Sequence, residues 1–202
     1  MEDNSTIPFD QFKLSSNSQI PFDLSVSKKY KGIGIRGFVR FTDSARNLVY
    51  TVQKSSYKSA TCDQDCVKQL LDSSGNTLFS ITRVNKRSWH GFKGNEEKKV
   101  IFTADKTVDE FSRTEFTVIL VDENNEDAKT ELRMKGSPYK RSCTIYKGDS
   151  IVAQTSLMYK LGIGTIFIPR NRFRVTIFPG FADHSLVACL IAIYFDGRKL
   201  WI

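Results

Sequence analysis

Lysine and arginine outnumber aspartate and glutamate by 30 to 22 in this 202-residue chain, and they come in groups. Arg83, Lys86, Arg87 and Lys93 bracket Trp89 in one hairpin-like stretch. Arg133, Lys135, Lys140 and Arg141 gather around "KGSPYKR", and Arg170, Arg172 and Arg174 recur with a period of two. Side chains of this type supply several charge-assisted donors to phosphate oxygens. Beside the plain reading of a solvated exterior, the groups therefore suggest that two clusters converge to hold polyanionic headgroups. The net charge of +8 agrees, although it attracts nucleic acid, acidic lipid and acidic protein alike.

Other chemistries find less to work with. Catalysis usually recruits histidine as acid or base, and there are only two. His184 lies in Asp183-His184-Ser185, which has the letters of a catalytic triad. Three consecutive residues cannot form that spatial chain of hydrogen bonds, and helix capping explains Asp183 better. His90, in "SWHGF", reads as a turn or a half-buried strand end. "GIGIRG" (Gly32, Gly34, Gly37) matches a dinucleotide fingerprint in form but precedes a strand-like "FVRFTD", where the site requires a helix. Cys62 and Cys66 sit four apart with no histidine nearby, short of the roughly four ligands zinc needs. Glu96-Glu97 falls in a charged, solvated loop. No catalytic, cofactor-binding or metal-binding residue is assigned.

The elements that would position the basic groups read mostly as strands. "IRGFVRF", "NLVYTVQ", "TLFSITRV", "KVIFTA", "EFTVILV", "TELRMK", "CTIYKG", "SIVAQTSL", "GTIFIP" and "RFRVTIF" are short runs rich in β-branched and aromatic residues. In "RFRVTIF", Phe173, Val175 and Ile177 point one way while Arg172, Arg174 and Thr176 point the other. "IYKGDSIVAQ" reads as a hairpin with Gly148-Asp149 at its turn. About ten such strands at regular spacing indicate an all-β barrel or sandwich. "VKQLLD" reads as a helical turn or two. Residues 1–24 form a loose N-terminal arm and 25–202 a single barrel domain.

One stretch differs. From Leu186 to Phe195 there is no charge, Asp183 is placed to cap a helix, and Gly197 to end it. Thirteen helical residues (183–195) span ~20 Å, too short for a ~30 Å bilayer core. Apolar on every side, with Leu186, Val187, Leu190, Ile191, Ile193 and Tyr194 among its residues, it suits a helix enclosed by protein. A barrel plugged by its own C-terminal helix is the simplest account. The opening "MEDNSTIPFDQF" lacks the basic and apolar regions of a secretory signal. The expected location is therefore intracellular, in cytoplasm or nucleus or peripheral to a membrane. The four cysteines are expected to be reduced thiols.

"LLDSSGNTLFSI", "SWHGFKG", "SCTIYKGDSIVAQ" and "FRVTIFPGFADHSLVACLIAIYFD" occur in this order and spacing. Together they resemble the plant LURP-one-related family, over roughly residues 20 to 198. The resemblance implies the fold of the Tubby C-terminal domain and the phospholipid scramblases: a closed antiparallel barrel of about twelve strands around a central apolar helix. It implies a non-catalytic binding or scaffold protein linked to plant stress and defence, with phosphoinositides or an anionic membrane surface as the partner. Two alternatives stand beside it. A nucleic-acid-associated, membrane-tethered regulator would need exposed aromatics among the basic residues, and here most aromatics alternate inward. A small-ligand barrel or enzyme would need an open lumen.

Overall fold

Period-two alternation is the rule along most of the chain, and it produces strands that bury one face. The computed structural model describes residues 20–31, 35–54, 67–95, 99–110, 112–121, 129–138, 140–158, 172–181 and 183–195, with the backbone alone for 28–31 and 35–38. The strands are β1 (Phe22–Lys31), β2 (Ile35–Thr42), β3 (Leu48–Lys54), β4 (Val67–Leu71), β5 (Thr77–Arg83), β6 (Ser88–Lys93), β7 (Val100–Asp109), β8 (Thr114–Val121), β9 (Lys129–Ser137), β10 (Ser142–Lys147), β11 (Ser150–Leu157) and β12 (Arg172–Ile177). A single helix follows, α1 (His184–Tyr194).

Each strand pairs antiparallel with its neighbours in sequence, and β1 pairs with β12 through Phe22↔Ile177 to Ser27↔Arg172, closing the ring. Closure leaves no sheet edge to pair with other chains. The inward face is lined by Leu24, Phe41, Phe102, Ala104, Phe116, Val118, Met134, Phe173 and Val175, all buried. α1 fills the lumen: Leu186 to Ile191, Ile193, Tyr194 and Phe195 are buried and Ala192 is half-buried. At ~1.5 Å per residue α1 is ~17 Å long, and no helix among the described residues is long and apolar enough to cross a membrane. A helix so enclosed recovers apolar burial over its whole circumference.

Nine of the ten strands read from the sequence are present, and "GTIFIP" lies outside the described residues. Three strands are additional. β1 takes in Phe22, Asp23 and Leu24, so the barrel starts at Phe22 and not at residue 25. β6 contains "SWHGF", with His90 half-buried. "VKQLL" is β4 and not a helical turn. Its Leu70 is sealed between Val52 and Phe79, and this pairing outweighs the weak local helix preference of a five-residue run.

Two glycines are demanded by geometry. A Cβ on Gly91 would lie 2.0 Å from Phe102 Cε1, so a hydrogen atom at this position lets the Phe102 ring lie flat inside the wall. Gly148 takes φ 57 in the β10–β11 turn, while Asp149 beside it does not adopt positive φ.

Candidate functional site

Chain direction alternates around the ring, so each end of the barrel collects every second turn. Asp183 and the start of α1 lie at one end, called here the cap end. Asp183 Oδ1 accepts from Leu186 N at 2.8 Å and from Ser185 Oγ at 2.6 Å, capping the helix as its sequence position promised. His184 stacks on Phe22 of β1, with centroids 4.6 Å apart and an interplanar angle of 11°. Burial, opposed by Asp183, lowers the His184 pKa below its usual value. Burial, reinforced by Asp183, pushes the Tyr50 hydroxyl up to about 12. A second carboxylate, Asp72, organises the β4–β5 turn. Burial works against its ionised form, yet hydrogen bonds from the Asn76 side chain and the backbone of Asn76, Ser74 and Gly75 hold its pKa below the usual value. Burial also pushes up the Cys143 and Cys189 thiols, as expected of enclosed, unreactive cysteines.

α1 finishes at the opposite, exit end. Tyr194 Oη donates to Thr114 O at 3.2 Å at the start of β8, and Phe195 packs on Phe173 at the start of β12, centroids 4.9 Å apart. Many of the basic residues lie here. The β5–β6 turn carries Arg83, Lys86 and Arg87, and its backbone is held by arginine. Arg83 Nε donates to Asn85 O at 3.1 Å and its Nη2 to Lys86 O at 3.0 Å. Arg87 Nε donates to Lys106 O at 3.2 Å and its Nη2 to Thr107 O at 3.3 Å. This bracing leaves Lys86 and Arg87 exposed next to Val84, which is 51% exposed. Exposed Lys140 lies in the β9–β10 turn and exposed Arg172 starts β12 at the same end.

The expected clusters are therefore regrouped. β6 and β12 are six strands apart in either direction, so the Arg83 group and the Arg172–Arg174 stripe lie on opposite sides of the ring. Lys93 ends β6 at the cap end, away from Arg83, Lys86 and Arg87. Arg133 and Lys135 face outward on β9; Arg133 Nη2 donates to Gly148 O at 3.3 Å, towards the cap end, and Lys135 lies 4.0 Å from Glu115. Arg174 meets Asp23 at 3.5 Å. Arg141 is corrected outright: expected in an outer cluster, it is 4% exposed. It continues the inward series Ile145, Cys143, takes φ 55 and sets Nη1 3.5 Å from Pro138 O. Arg170, Cys62 and Cys66 lie outside the described residues.

Sequence reasoning missed four cations. Arg40, outward on β2, shares Ser27 as a register partner with Arg172. Lys54, Lys68 and Lys106 occupy inward positions at the exit end. Each stands two residues from a buried core residue (Val52, Leu70 and Ala104), and Arg83 stands two from Ile81. Arg83 Cζ lies 5.2 Å from the Trp89 ring centroid and Lys106 Nζ 5.6 Å from it. Extending each apolar alternation by one step would have found them. That Lys54 stands opposite Lys68, and that Arg83 and Lys106 share the Trp89 ring, depends on strand register, which alternation does not give. Among the described residues, the exit-end carboxylates Asp105, Asp109, Glu110 and Glu115 are confined to β7, β8 and the turn between them. Asp109 pairs with Lys106 at 3.3 Å, and Arg113 pairs with Glu115 at 2.6 Å.

A closed meander of antiparallel strands filled by its own C-terminal helix defines a helix-plugged barrel. The family model described as LURP-one-related matches residues 22–196, the span from the start of β1 to just past α1. Protein LURP-one-related 7 of Arabidopsis thaliana is 45% identical over 181 residues, covering 89% of this chain and 91% of that protein. Protein LURP-one-related 15 of the same plant is 25% identical over 185 residues, covering 89% and 81%. The chain belongs to the LURP-one-related family. An X-ray structure of an Arabidopsis thaliana protein superposes with a TM-score of 0.57 at 21% identity, covering 92% of this chain and 98% of that one, which establishes the shared fold.

Proposed function

We propose that this LURP-one-related barrel is a non-catalytic binding module that docks end-on, through its exit end, against an anionic phospholipid surface. One observation carries the reading: exposed Lys86, Arg87, Lys140 and Arg172 come from widely separated strands and turns, yet share one end with the exposed Val84. A convex barrel side offers a flat membrane only a few outward residues. A barrel end offers a rim, and cations on a rim can all reach headgroups at once. Each basic residue near an anionic surface contributes about 1 kcal/mol, so four acting together would hold the protein reversibly at the surface. Among the described residues the exit-end carboxylates stay on β7, β8 and the turn between them, whereas the exposed cations of that end also come from the β9–β10 turn and β12.

The lumen is taken up by α1, which favours binding at the surface over a ligand inside the barrel. A nucleic-acid reading draws no support, because the large hydrophobic residues exposed among those described are Ile20, Val84 and Ile151, none of them aromatic. Co-sedimentation with phosphatidylcholine vesicles, with and without phosphatidylserine, tests the reading. Binding that requires the anionic lipid and falls steeply with salt is expected. Equal, negligible sedimentation with both vesicles would refute it.

A further inference from the structure

Turns are built mainly from Gly, Pro, Asn, Asp and Ser, so a valine standing in water at the tip of one needs a reason. Among the described residues, two of the exposed large hydrophobic side chains, Ile20 and Ile151, lie at the cap end. The third, Val84 in the β5–β6 turn, is 51% exposed at the exit end. Asn85, Lys86 and Arg87 beside it are exposed as well. The backbone of this turn, by contrast, is turned in on the protein. Val84 N and Asn85 N donate to Ser88 O at 3.0 and 3.4 Å, and Arg87 N donates to Asn85 Oδ1 at 2.7 Å. The carbonyls of Asn85 and Lys86 accept from Arg83, and that of Arg87 accepts from Lys106 N at 2.7 Å. Arg83 is itself fixed against the Trp89 ring, 5.2 Å from its centroid. Arg87 ties the turn to β7 through Lys106 O and Thr107 O.

Loss of water is costly for an amide or carbonyl group unless another group holds it. A tip whose backbone groups already have partners inside the protein can leave bulk water without that penalty. It also gains by covering an exposed apolar side chain. The two guanidinium groups fix the tip's shape in advance, so little conformational freedom remains to be lost on binding. We propose that the β5–β6 turn is the part of the exit end that enters a bilayer. Val84 seats below the lipid phosphates, and Lys86 and Arg87 stop at their level. The inference rests on the end-on docking reading and adds to it a depth and a kind of partner. A fluid anionic bilayer offers phosphates for the two cations and, beneath them, an apolar phase for Val84. A soluble polyanion offers only the first.

The full chain is sedimented with fluid phosphatidylcholine vesicles carrying phosphatidylserine, over a range of salt concentrations. Val84→Ser should bind about fivefold more weakly at every salt concentration, because what it removes is apolar. Lys86→Ser should weaken binding at low salt, with the difference shrinking as salt screens the charge. Ile151→Ser, a comparable apolar loss at the cap end, should bind as the wild type does. Depth is read from Val84→Trp on the same vesicles with brominated acyl chains. Its fluorescence should be quenched on binding beyond that of the wild type, and that of Ile151→Trp should not. In Val84→Trp/Asn85→Ala, which keeps the net charge but removes the acceptor of Arg87 N, the quenching should fall. Vesicle binding without extra quenching in Val84→Trp, or with Val84→Ser unaffected, overturns the insertion and leaves the docking reading standing. No sedimentation of the wild type with anionic vesicles removes the docking reading, and the insertion with it.

Discussion

At the cap end, α1 begins with Asp183 bonded to its own first turn, His184 stacked on Phe22, and Tyr50 half-buried nearby. At the exit end, α1 finishes with Tyr194 bonded to Thr114 O, and the wall around it turns from apolar side chains to Lys54, Lys68, Arg83 and Lys106. Both ends must keep water off an apolar helix. The cap end does so with groups that satisfy one another, and its exposed lysines Lys93, Lys129 and Lys147 share that end with the carboxylates Asp43, Asp72 and Asp149. The exit end is sealed by Trp89, Phe116 and Phe173, with Arg83 and Lys106 lying over the Trp89 ring. Exposed cations that separate turns and strands bring to one end, as Lys86, Arg87, Lys140 and Arg172 are brought, are where binding is to be sought.

The largest expected effect is common to both ends, because both depend on the helix between them. Ala188 is fully buried at the centre of α1. Ala188→Asp should abolish the cooperative thermal transition followed by circular dichroism, since an unpaired buried carboxylate costs about 3–5 kcal/mol or more, comparable with the whole stability of a domain. A folded Ala188→Asp protein would mean that α1 does not occupy the lumen. Ala192 is half-buried, so Ala192→Asp should cost less.

The next effects separate the ends. Asp183→Ala removes the cap and should lower stability by about 1 kcal/mol in urea unfolding. Tyr194→Phe removes one hydrogen bond and strands the Thr114 carbonyl, an effect of about 1–2 kcal/mol. Both costs should appear as stability alone, with vesicle binding intact in the folded fraction. A binding defect in Asp183→Ala would erase the functional difference between the ends.

A smaller effect comes from pH. The His184 pKa lies below its ordinary value of 6.5, first through burial, so the folded protein holds it neutral where the unfolded chain already binds a proton. Its contribution is present above pH 6.5 and is lost as pH falls from there through the folded value. Urea midpoints between pH 7.5 and 5 should decline with decreasing pH, and the decline should be shallower in His184→Phe, which keeps the stacking on Phe22. An identical slope in the variant would assign the decline elsewhere.

How much of this was legible beforehand follows from what each feature depends on. α1 was readable because its apolarity on every side is a property of one segment, and so was the Phe173, Val175, Ile177 face of β12. β4 escapes the local pattern because "VKQLL" takes its conformation from pairing: Leu70 stands opposite Val52 of β3 and Phe79 of β5, 18 residues before it and 9 after it. The basic groups were visible as composition, but their grouping was not. Lys93 parts from Arg83 because one hairpin strand runs the barrel's full height, Arg141 turns inward, and register alone sets Lys54 opposite Lys68 and brings Lys106 and Arg83 to one Trp89 ring. Local patterns reveal which way a side chain points; pairing decides what it meets.

The central claim is that the exit end, and not net charge as a whole, is the anion-facing surface. Vesicle co-sedimentation with phosphatidylserine of Lys86→Glu/Lys140→Glu against Lys129→Glu/Lys147→Glu tests it directly, since the two proteins carry the same net charge and differ only in which end was reversed. The account predicts that the exit-end pair loses most binding while the cap-end pair stays near wild type. Equal losses in the two proteins would contradict it.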